Sequence, residues 1–426
     1  MYEHKCMISC RVMVRTRPDR EPDIMADLEF PKDREESPVE MEPLLIGETC
    51  RFRGSLTDLA VELAQKAAGF RRSLPASLLK SLADLVRSMN CYYSNLIEGH
   101  YTHPIDIERA LKNDYSKDAR KRDLQLEAKA HVAVQKWIDE GGVKERVATT
   151  EGIREIHRRF CAELPEALLW VEDTEGKELV RVVPGELRKR DVRVGGHVAI
   201  SPGAVPRFLK RFEDVHRRLG KTDSILAAAP AHHRLAWIHP FVDGNGRVAR
   251  LMSHAALLEA LDTDAVWSVA RGLARNVEEY KRHLAACDGP RRNDLDGRGN
   301  LSEEALAAFT EFFLKTCIDQ VSFMESLMQP DRLRARILLW AEEDIKLKNL
   351  PPRSGRLLEA LLYRGELPRG EVASVAGVVE RHARRVVSAL ADRGVLASDG
   401  PRAPLRLVFP AALASRWMPG LFPERP

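Results

Sequence analysis

Residues 239–250 read HPFVDGNGRVAR and concentrate a base, a carboxylate, an amide, two glycines and two arginines between two helical patterns. Gly244 and Gly246 allow the backbone to approach a ligand, and the helix that begins near Arg247 offers free N–H groups to an anion. Arg247 and Arg250 are three residues apart, so on a helix they share a face and can both contact a polyphosphate. The stretch therefore predicts a phosphate cradle.

Two further residues of this stretch suit nucleotide chemistry. Asp243 supplies a hard oxygen ligand for Mg²⁺, which proteins commonly hold through one or two carboxylates together with substrate phosphates. The imidazole of His239 titrates near neutral pH, so it can accept a proton from an attacking hydroxyl. A single histidine before proline is more often structural, and Asp-Gly-Asn-Gly alone is usually a turn, so the prediction depends on their combination.

The complete stretch resembles the active-site signature of the Fic (Fido-fold) family, HPFxDGNGRxxR with Asp or Glu in the fifth place. The resemblance extends over roughly residues 90–325. It implies a mainly α fold, with a Fido helical core and a short β-hairpin flap. It also implies a protein adenylyltransferase, which moves AMP from ATP to a Ser, Thr or Tyr hydroxyl of a target protein or of itself.

The resemblance implies a role for each residue of the signature. His239 would be the general base, Asp243 would hold Mg²⁺ on the phosphates of ATP, and Phe241 would anchor the loop. The nucleotide-binding residues would be Gly244, Asn245 and Gly246, which form an anion hole, and Arg247 and Arg250, which grip the β- and γ-phosphates. Gly246 matches the AMP-transferring form, because relatives that transfer phosphate carry lysine there.

A flap is predicted at residues 187–200, LRKRDVRVGGHVAI, where apolar and polar residues alternate around a glycine pair that suits a tight hairpin turn. A target peptide could pair with this hairpin as an extra strand, with its hydroxyl in register with His239. The flap residues expected to bind the target are Val192, Arg193, Val194, Gly195 and Gly196.

A second motif, SNLIEG at residues 94–99, lies near the end of a predicted helix, where Ser94 and Glu98 share a face. It resembles the inhibitory signature of Fic proteins in which this helix precedes the catalytic core, although His100 stands where the family often has Asn. By that resemblance Glu98 would pair with Arg250 and keep ATP in a non-reactive pose. In some relatives the same glutamate positions water to remove AMP, and the sequence leaves this alternative open.

Composition limits the class of protein. The chain has 426 residues, a formal net charge of +4, and seven scattered cysteines without a CxxC pair, which argues against a disulfide framework or a cysteine zinc site. No apolar run is long enough to cross a membrane, so a cytoplasmic location is expected. The predicted regions are a flexible leader at 1–42, an N-terminal helical region with the inhibitory helix at 43–110, the Fic core at 111–328 and a C-terminal unit at 329–426.

The sequence of the C-terminal unit predicts three short helices followed by two strands, which is the order of elements in a winged helix-turn-helix domain. Beyond residue 330 there are 17 Lys and Arg against 11 Asp and Glu, so this part carries the basic excess. DNA binding through residues 331–426 would use Arg381, Arg384, Arg385 and Arg402. A protein-docking or homodimer module is the alternative, and a DNA-binding regulator with a vestigial Fic site is a third hypothesis for the whole chain.

Overall fold

The computed structural model describes residues 31–173, 178–261 and 263–423, and these residues are mostly helical, as predicted. The N-terminal region contains α1 (Arg53–Arg72), α2 (Ala76–Ile97) and α3 (Pro104–Leu111). The central region contains α4 (Ala119–Asp139), α5 (Thr150–Ala162), α6 (Val205–His216), α7 (Lys221–Ile238), α8 (Asn245–Leu261), α9 (Val269–Arg275), α10 (Val277–Cys287) and α11 (Glu303–Met328). The C-terminal unit contains α12 (Pro330–Lys346), α13 (Ser354–Arg364), α14 (Val372–Ala376), α15 (Glu380–Asp392) and α16 (Ala414–Trp417).

The strands are short and form separate small sheets. In the central region, β1 (Trp170–Glu172) pairs with β2 (Leu179–Arg181), and β3 (Arg193–Val194) pairs with β4 (His197–Val198). The C-terminal sheet has the order β5 (Glu366–Leu367), β7 (Leu405–Leu407), β6 (Leu396–Ala397).

Polar side chains fix where several helices begin. Asp118 accepts a hydrogen bond from the backbone N–H of Lys121 at the start of α4, and Thr149 and Ser302 cap α5 and α11 in the same way. Each cap provides an acceptor for one of the N–H groups that a helix leaves unpaired in its first turn. These caps therefore fix the first residues of α4, α5 and α11.

Two apolar cores meet around the signature stretch. One core is built mainly from α1, α2, α9, α11 and the C-terminal unit, with Phe70, Phe309 and Trp340 among its buried residues. The other is built from α4 to α8 and includes Phe208 and Phe241. Phe241, Val248 and Ala249 of the signature stretch belong to the second core, whereas the helix with the predicted inhibitory motif belongs to the first.

The predicted flap hairpin is confirmed, and its turn is Gly195-Gly196 between β3 and β4. A second hairpin, β1–β2, was not predicted; in it Val171 pairs with Val180. Strands of three residues are too short for an alternating pattern to be distinguished from the surrounding helical sequence. The central region therefore has more β structure than the sequence indicated.

The predicted flexible leader at residues 1–42 is only partly open to comparison, because residues 1–30 lie outside the described part of the chain. Residues 31–42 differ from the prediction. Glu36 accepts a hydrogen bond from the backbone N–H of Ser201 (2.8 Å), Asp33 pairs with Arg207 (2.5 Å), and Met41 is fully buried. This segment packs against the chain that follows the flap, because its carboxylates find partners there that are distant in sequence.

The C-terminal unit has the predicted helices and strands, with β5 as an additional strand. It contacts the N-terminal region, since Arg406 donates to the Ser81 hydroxyl (3.2 Å) and the Tyr93 hydroxyl donates to the carbonyl of Leu421 (2.9 Å). Both Ser81 and Tyr93 lie on α2. The helix that carries the predicted inhibitory motif is therefore braced by the far end of the chain.

Candidate active site

The loop between α7 and α8 is held in one conformation by hydrogen bonds. His239 ends α7 with φ of 51°, in the left-handed region that side chains other than glycine seldom adopt, and its N–H donates to the carbonyl of Leu235 (3.1 Å). Arg188, which is buried, donates to the carbonyl of His239 (2.7 Å), and its own N–H donates to the carbonyl of Pro240 (3.0 Å). These contacts compensate for the backbone strain at His239.

The side chain of Asn245 closes the same loop. Its Oδ1 accepts from the N–H of Phe241 and its Nδ2 donates to the carbonyl of Phe241, both at 2.9 Å. Phe241 is fully buried, as the family resemblance implied. The Asn245 side chain is thus engaged with the backbone of the loop, which differs from the expectation that it contributes to an anion hole.

The imidazole of His239 has one ring nitrogen that carries no hydrogen. Its Nδ1 lies 3.2 Å from the carbonyl oxygen of Ala236, and because a carbonyl only accepts, Nδ1 carries the hydrogen. The Nε2 atom is left with its lone pair. Burial lowers the pKa of His239 to about 4, although the Ala236 carbonyl opposes this shift, so the ring is neutral at pH 7.

A second histidine, His157 on α5, supports the loop and was not anticipated from the sequence. Its ring stacks on Phe241 with centroids 3.8 Å apart, and its Nδ1 accepts from the N–H of Gly185 (2.9 Å). Its Nε2 therefore carries the hydrogen and donates to the carbonyl of Asp243 (3.2 Å). Burial lowers the pKa of His157 to about 4, which favours this neutral form.

The N-terminus of α8 lies where the sequence predicts a phosphate cradle. Gly244 has φ of 81°, and its carbonyl accepts from the N–H of Val248 (3.0 Å), which leaves the N–H groups of residues 245–247 without a partner inside the helix. Together with the helix dipole, these groups favour an anion at this point. The Asp243 carboxylate is half-buried beside the cradle and has no hydrogen bond or ion pair within the described residues.

Arg250 is fully engaged with the predicted inhibitory motif. Its Nε donates to the hydroxyl of Ser94 (2.9 Å), and its Nη2 donates to the Ser94 carbonyl (3.2 Å) and to the Glu98 carboxylate. Burial by itself would raise the pKa of Glu98, but the charges of Arg250 and Arg247 outweigh it and hold the pKa at about 2. An ideal Cβ on Gly246 would lie 2.5 Å from Glu98 Oε1, so the carboxylate lies at the mouth of α8.

Arg247 has a different acidic partner, which the sequence did not reveal. Its Nη2 donates to the carboxylate of Glu127 on α4, and the Nδ1 of His100 lies 2.8 Å from the other oxygen of that carboxylate. Burial would raise the pKa of Glu127, but Arg247 and His100 hold it below its ordinary value. No local motif indicated Glu127, because 120 residues separate it from Arg247.

A chain of hydrogen bonds lies behind Arg250. The Ser253 hydroxyl donates to the carbonyl of Ala249 (2.9 Å), so it accepts from Nδ1–H of His232 (2.8 Å). Nε2 of His232 then accepts from the hydroxyl of Tyr280 (2.7 Å). Burial raises the pKa of Tyr280 to about 12 against the opposing charge of Arg250, so the phenol stays neutral and keeps donating.

The flap lies beside the base. His197 on β4 donates from Nε2 to the carbonyl of Trp237 (2.8 Å), two residues before His239. Arg188 also donates to the carbonyl of Ile200 (2.5 Å), at the foot of the hairpin. Arg188 thus joins the flap to the loop that carries His239, and the pattern PGELR in front of the flap was the only sequence signal for it.

The structure gathers the predicted residues into one site, apart from those of the C-terminal unit. The loop and the first turn of α8 carry His239, Asp243, Gly244, Asn245, Gly246, Arg247 and Arg250, and the end of α2 brings Ser94 and Glu98 to them. The flap residues 192–196 form the adjacent hairpin. Arg381, Arg384 and Arg385 are exposed on α15, outside this site.

The described ranges contain no group of three or more His, Cys, Asp or Glu side chains that could hold a metal ion. A Mg²⁺ ion bound by one protein carboxylate and by substrate phosphates does not require such a group. Among the described helices, none combines the length and apolar character that crossing a bilayer needs.

Residues 148–257 match the model of the Fic/DOC family. Two fly proteins named Protein adenylyltransferase Fic are similar to this chain. The protein of Drosophila willistoni is 32% identical over 171 residues, which cover 40% of this chain and 31% of the relative. The protein of Drosophila virilis is 33% identical over 173 residues, which cover 40% of this chain and 32% of the relative. The chain thus spans about a third of the length of these relatives.

Two solved structures are also similar. A Fic family protein from Desulfovibrio desulfuricans G20 has 17% identity and a TM-score of 0.49, with 83% of this chain and 95% of that chain covered. A fragment of Fic-1 from C. elegans has 17% identity and a TM-score of 0.47, with 65% of this chain and 75% of that chain covered. Both scores are below 0.5, so neither structural similarity supports an inference about this chain.

Proposed function

We propose that this chain, a Fic-family protein whose Fic/DOC domain covers residues 148–257, is a protein adenylyltransferase restrained by its own Glu98. One observation carries the proposal. A neutral imidazole with a free Nε2, on His239, stands at one end of a rigid loop, and a helix N-terminus with two arginines stands at the other. A base and an anion cradle separated by a few residues are what phosphoryl transfer to a hydroxyl requires.

The reaction follows from these positions. Nε2 of His239 accepts the proton of a Ser, Thr or Tyr hydroxyl, and the hydroxyl oxygen forms a bond to the α-phosphorus of ATP. The bond between the α-phosphorus and its bridging oxygen breaks, so AMP stays on the target and pyrophosphate leaves. Arg247, Arg250 and the N–H groups at the start of α8 stabilise the charge on the departing phosphates.

Magnesium fits this site through one carboxylate. Asp243 is half-buried beside the cradle and has no partner among the described residues, so it is available as a ligand. When bound, Mg²⁺ would neutralise phosphate charge and fix the triphosphate in one conformation. The donor set, one hard oxygen with phosphates close by, is the kind that this ion prefers.

The flap supports a protein as the acceptor. Its strands are two residues long, and their exposed side chains include Arg193 and Val198. An extended peptide could add to such a hairpin through main-chain hydrogen bonds, which select an extended segment more than a particular sequence. The flap residues proposed to contact the target are Val192, Arg193, Val194, Gly195 and Gly196.

Autoinhibition is proposed from the position of Glu98. Its carboxylate lies against Gly246 and pairs with Arg250, so it fills the space and neutralises the charge that a terminal phosphate would use. A triphosphate could then enter only with its last phosphate displaced. Removal of the Glu98 side chain should free both the space and Arg250.

The test is transfer of label from ATP by the full chain, with wild type, Glu98→Gly, and Glu98→Gly combined with His239→Ala. We expect weak labelling of the chain itself or of lysate proteins by wild type and strong labelling by Glu98→Gly. The double variant should label at least 100-fold less than Glu98→Gly, since a general base contributes about 100-fold or more. Label on the α-phosphate should transfer and label on the γ-phosphate should not.

His216 provides a matched control for the base. It is a half-buried histidine on α6 whose Nδ1 lies 2.8 Å from the carbonyl oxygen of Phe212, and its pKa is also lowered to about 4, mainly by desolvation of the ring. His216→Ala in the Glu98→Gly background should keep strong labelling. If Glu98→Gly transfers no label, even in a lysate that contains the natural partner, the transferase proposal fails.

Hydrolytic removal of AMP is a second candidate, because Glu98 holds a carboxylate at the mouth of α8 where it could orient water. A chemically AMP-modified hydroxyl peptide would test it. Release of AMP by wild type, and its loss in Glu98→Gly, would favour the hydrolase. Strong transfer by Glu98→Gly with no AMP release by wild type would favour the transferase alone.

DNA binding by the C-terminal unit is favoured by one observation. Arg381, Arg384 and Arg385 are exposed on α15 and have no acidic partner within the described residues. Retention of the full chain on duplex DNA should fall steeply with salt and should weaken when all three become alanine. Unchanged retention, or none at low salt, would instead favour a docking or homodimer role for this unit.

A further inference from the structure

The environment of Arg247 contains a residue that the proposed mechanism does not use. Glu127 projects from α4, and both it and Arg247 are buried. One carboxylate oxygen accepts from Nη2 of Arg247, and Nδ1 of His100 lies 2.8 Å from the other oxygen and 3.0 Å from the same Nη2. The face of the Phe160 ring lies 5.3 Å from Cζ of Arg247. The Nη2 end of the guanidinium is therefore bound by Glu127, and its face packs against the Phe160 ring.

The Nε edge of this guanidinium has no hydrogen-bond partner within the described residues. Nε of Arg247 is buried and makes no hydrogen bond within the described residues. A buried donor without an acceptor costs about 1–3 kcal/mol, so folded proteins seldom leave one without a reason. In contrast, Nε of the neighbouring Arg250 donates to Ser94. The unpaired Nε–H of Arg247 is suited to donate to an anionic group of a bound ligand.

Glu127 also differs from Glu98 in where it lies. The three heavy atoms nearest to an ideal Cβ on Gly246 belong to Glu98 and Arg250. Glu127 contacts Arg247 from α4, whereas Glu98 contacts Arg250 and lies at the mouth of α8. A carboxylate in this position can hold the arginine without excluding the phosphate.

We propose that Glu127 is the positioning residue for Arg247, which fixes the guanidinium before the nucleotide binds; this rests on the function proposed above. A free arginine side chain has about 2 kcal/mol of rotamer entropy to lose when it grips a phosphate. Glu127, helped by His100 and the Phe160 ring, removes that loss in advance. The benefit belongs to nucleotide binding, since Glu127 does not face the hydroxyl that is attacked.

The test compares variants of the full chain in the Glu98→Gly background, by kcat and KM for ATP and by calorimetric Kd for ATP with Mg²⁺. Glu127→Gln should raise KM and Kd about 10-fold, the lower end of the 10–100-fold loss seen when a residue that orients a ligand-binding side chain is removed. It should change kcat less than about threefold, because the acceptor and base are untouched. Glu127→Asp keeps the charge and should recover part of the affinity.

Asp139 provides a matched control on the same helix. Its carboxylate is equally buried and pairs with Arg87 (2.6 Å) and His254 (2.7 Å), but it does not contact Arg247. Asp139→Asn should therefore leave KM and Kd for ATP within twofold, even if it lowers the melting temperature. This variant separates a local effect on Arg247 from general damage to α4.

The KM and Kd values for ATP decide whether Glu127 positions Arg247. Unchanged or lower KM and Kd in Glu127→Gln would overturn the proposal, as would a loss confined to kcat or an equal loss in Asp139→Asn. If Glu127→Gln does not fold, Glu127→Asp decides, with a two- to fivefold rise in Kd expected and no change as the contrary result. If Glu98→Gly binds ATP but transfers no label, the proposed function fails, while the Kd values still test the role of Glu127.

Discussion

Arg250 and Arg247 lie three residues apart on one helix, yet different parts of the molecule hold them. Arg250 pairs with Glu98 at the end of α2, and the Glu98 side chain is 25% exposed. Arg247 pairs with Glu127 in the middle of α4, and the Glu127 side chain is 9% exposed. The first partner is the residue that ends α2, whereas the second lies in the middle of a packed helix.

The difference suggests distinct uses for the same kind of ion pair. Breaking a buried pair by removing one partner is costly, because the remaining charge stays buried without compensation. Arg250 would keep two hydrogen bonds to Ser94 if Glu98 left, so that pair can open at moderate cost. Arg247 has no comparable substitute for Glu127 among the described residues, so that pair should stay closed.

The largest expected effect concerns stability. Glu127→Gln should lower the free energy of unfolding by about 3–5 kcal/mol, because it leaves the Arg247 charge buried and unpaired. Glu98→Gln should lower it less, by about 1–2 kcal/mol, because Arg250 keeps its bonds to Ser94 and the Glu98 side chain is partly exposed. Urea unfolding of both variants at pH 7 provides the measurement. Equal losses would remove the distinction between the two pairs.

A smaller effect on the free energy of unfolding is expected for Gly246→Ala, and its sign should differ between the wild-type and Glu98→Gly chains. A Cβ there would lie 2.5 Å from Glu98 Oε1, so Gly246→Ala should push the carboxylate away from Arg250 and destabilise the wild-type chain by about 1 kcal/mol. In Glu98→Gly the obstruction is gone, and alanine should stabilise the helix by up to about 1 kcal/mol relative to glycine. Unfolding of the four chains gives the coupling, and additive effects would contradict it.

The smallest effect is the pH dependence of the Glu98 pair. The folded-state pKa of about 2 lies below the ordinary value of 4.5, so ionised Glu98 stabilises the fold above about pH 4.5, and this contribution is lost as the pH falls towards 2. The difference in unfolding free energy between wild type and Glu98→Gln should therefore be constant from pH 8 to pH 5 and shrink below pH 4.5. A difference that already shrinks between pH 7 and pH 6 would mean that Glu98 is not held by Arg250.

Much of the site could be predicted because its residues lie close together in the sequence. The signature at 239–250 forms one loop and one helix turn, and the flap forms one hairpin, so local spacing was sufficient for both. The pairing of Glu98 with Arg250 spans 152 residues, and it was expected from the family resemblance alone. In contrast, Glu127 and His157 act across distances for which the sequence has no local pattern.

The sequence by itself determined which chemical groups are present, which helix faces are apolar, and that a glycine-rich loop opens a helix beside a histidine. Only the tertiary structure decided which carboxylate neutralises which arginine, that His157 stacks on Phe241, and that the Asn245 side chain braces its own loop. The physical reason is that helix periodicity and turn geometry act over a few residues, whereas ion pairs and ring stacking depend on elements that packing brings together.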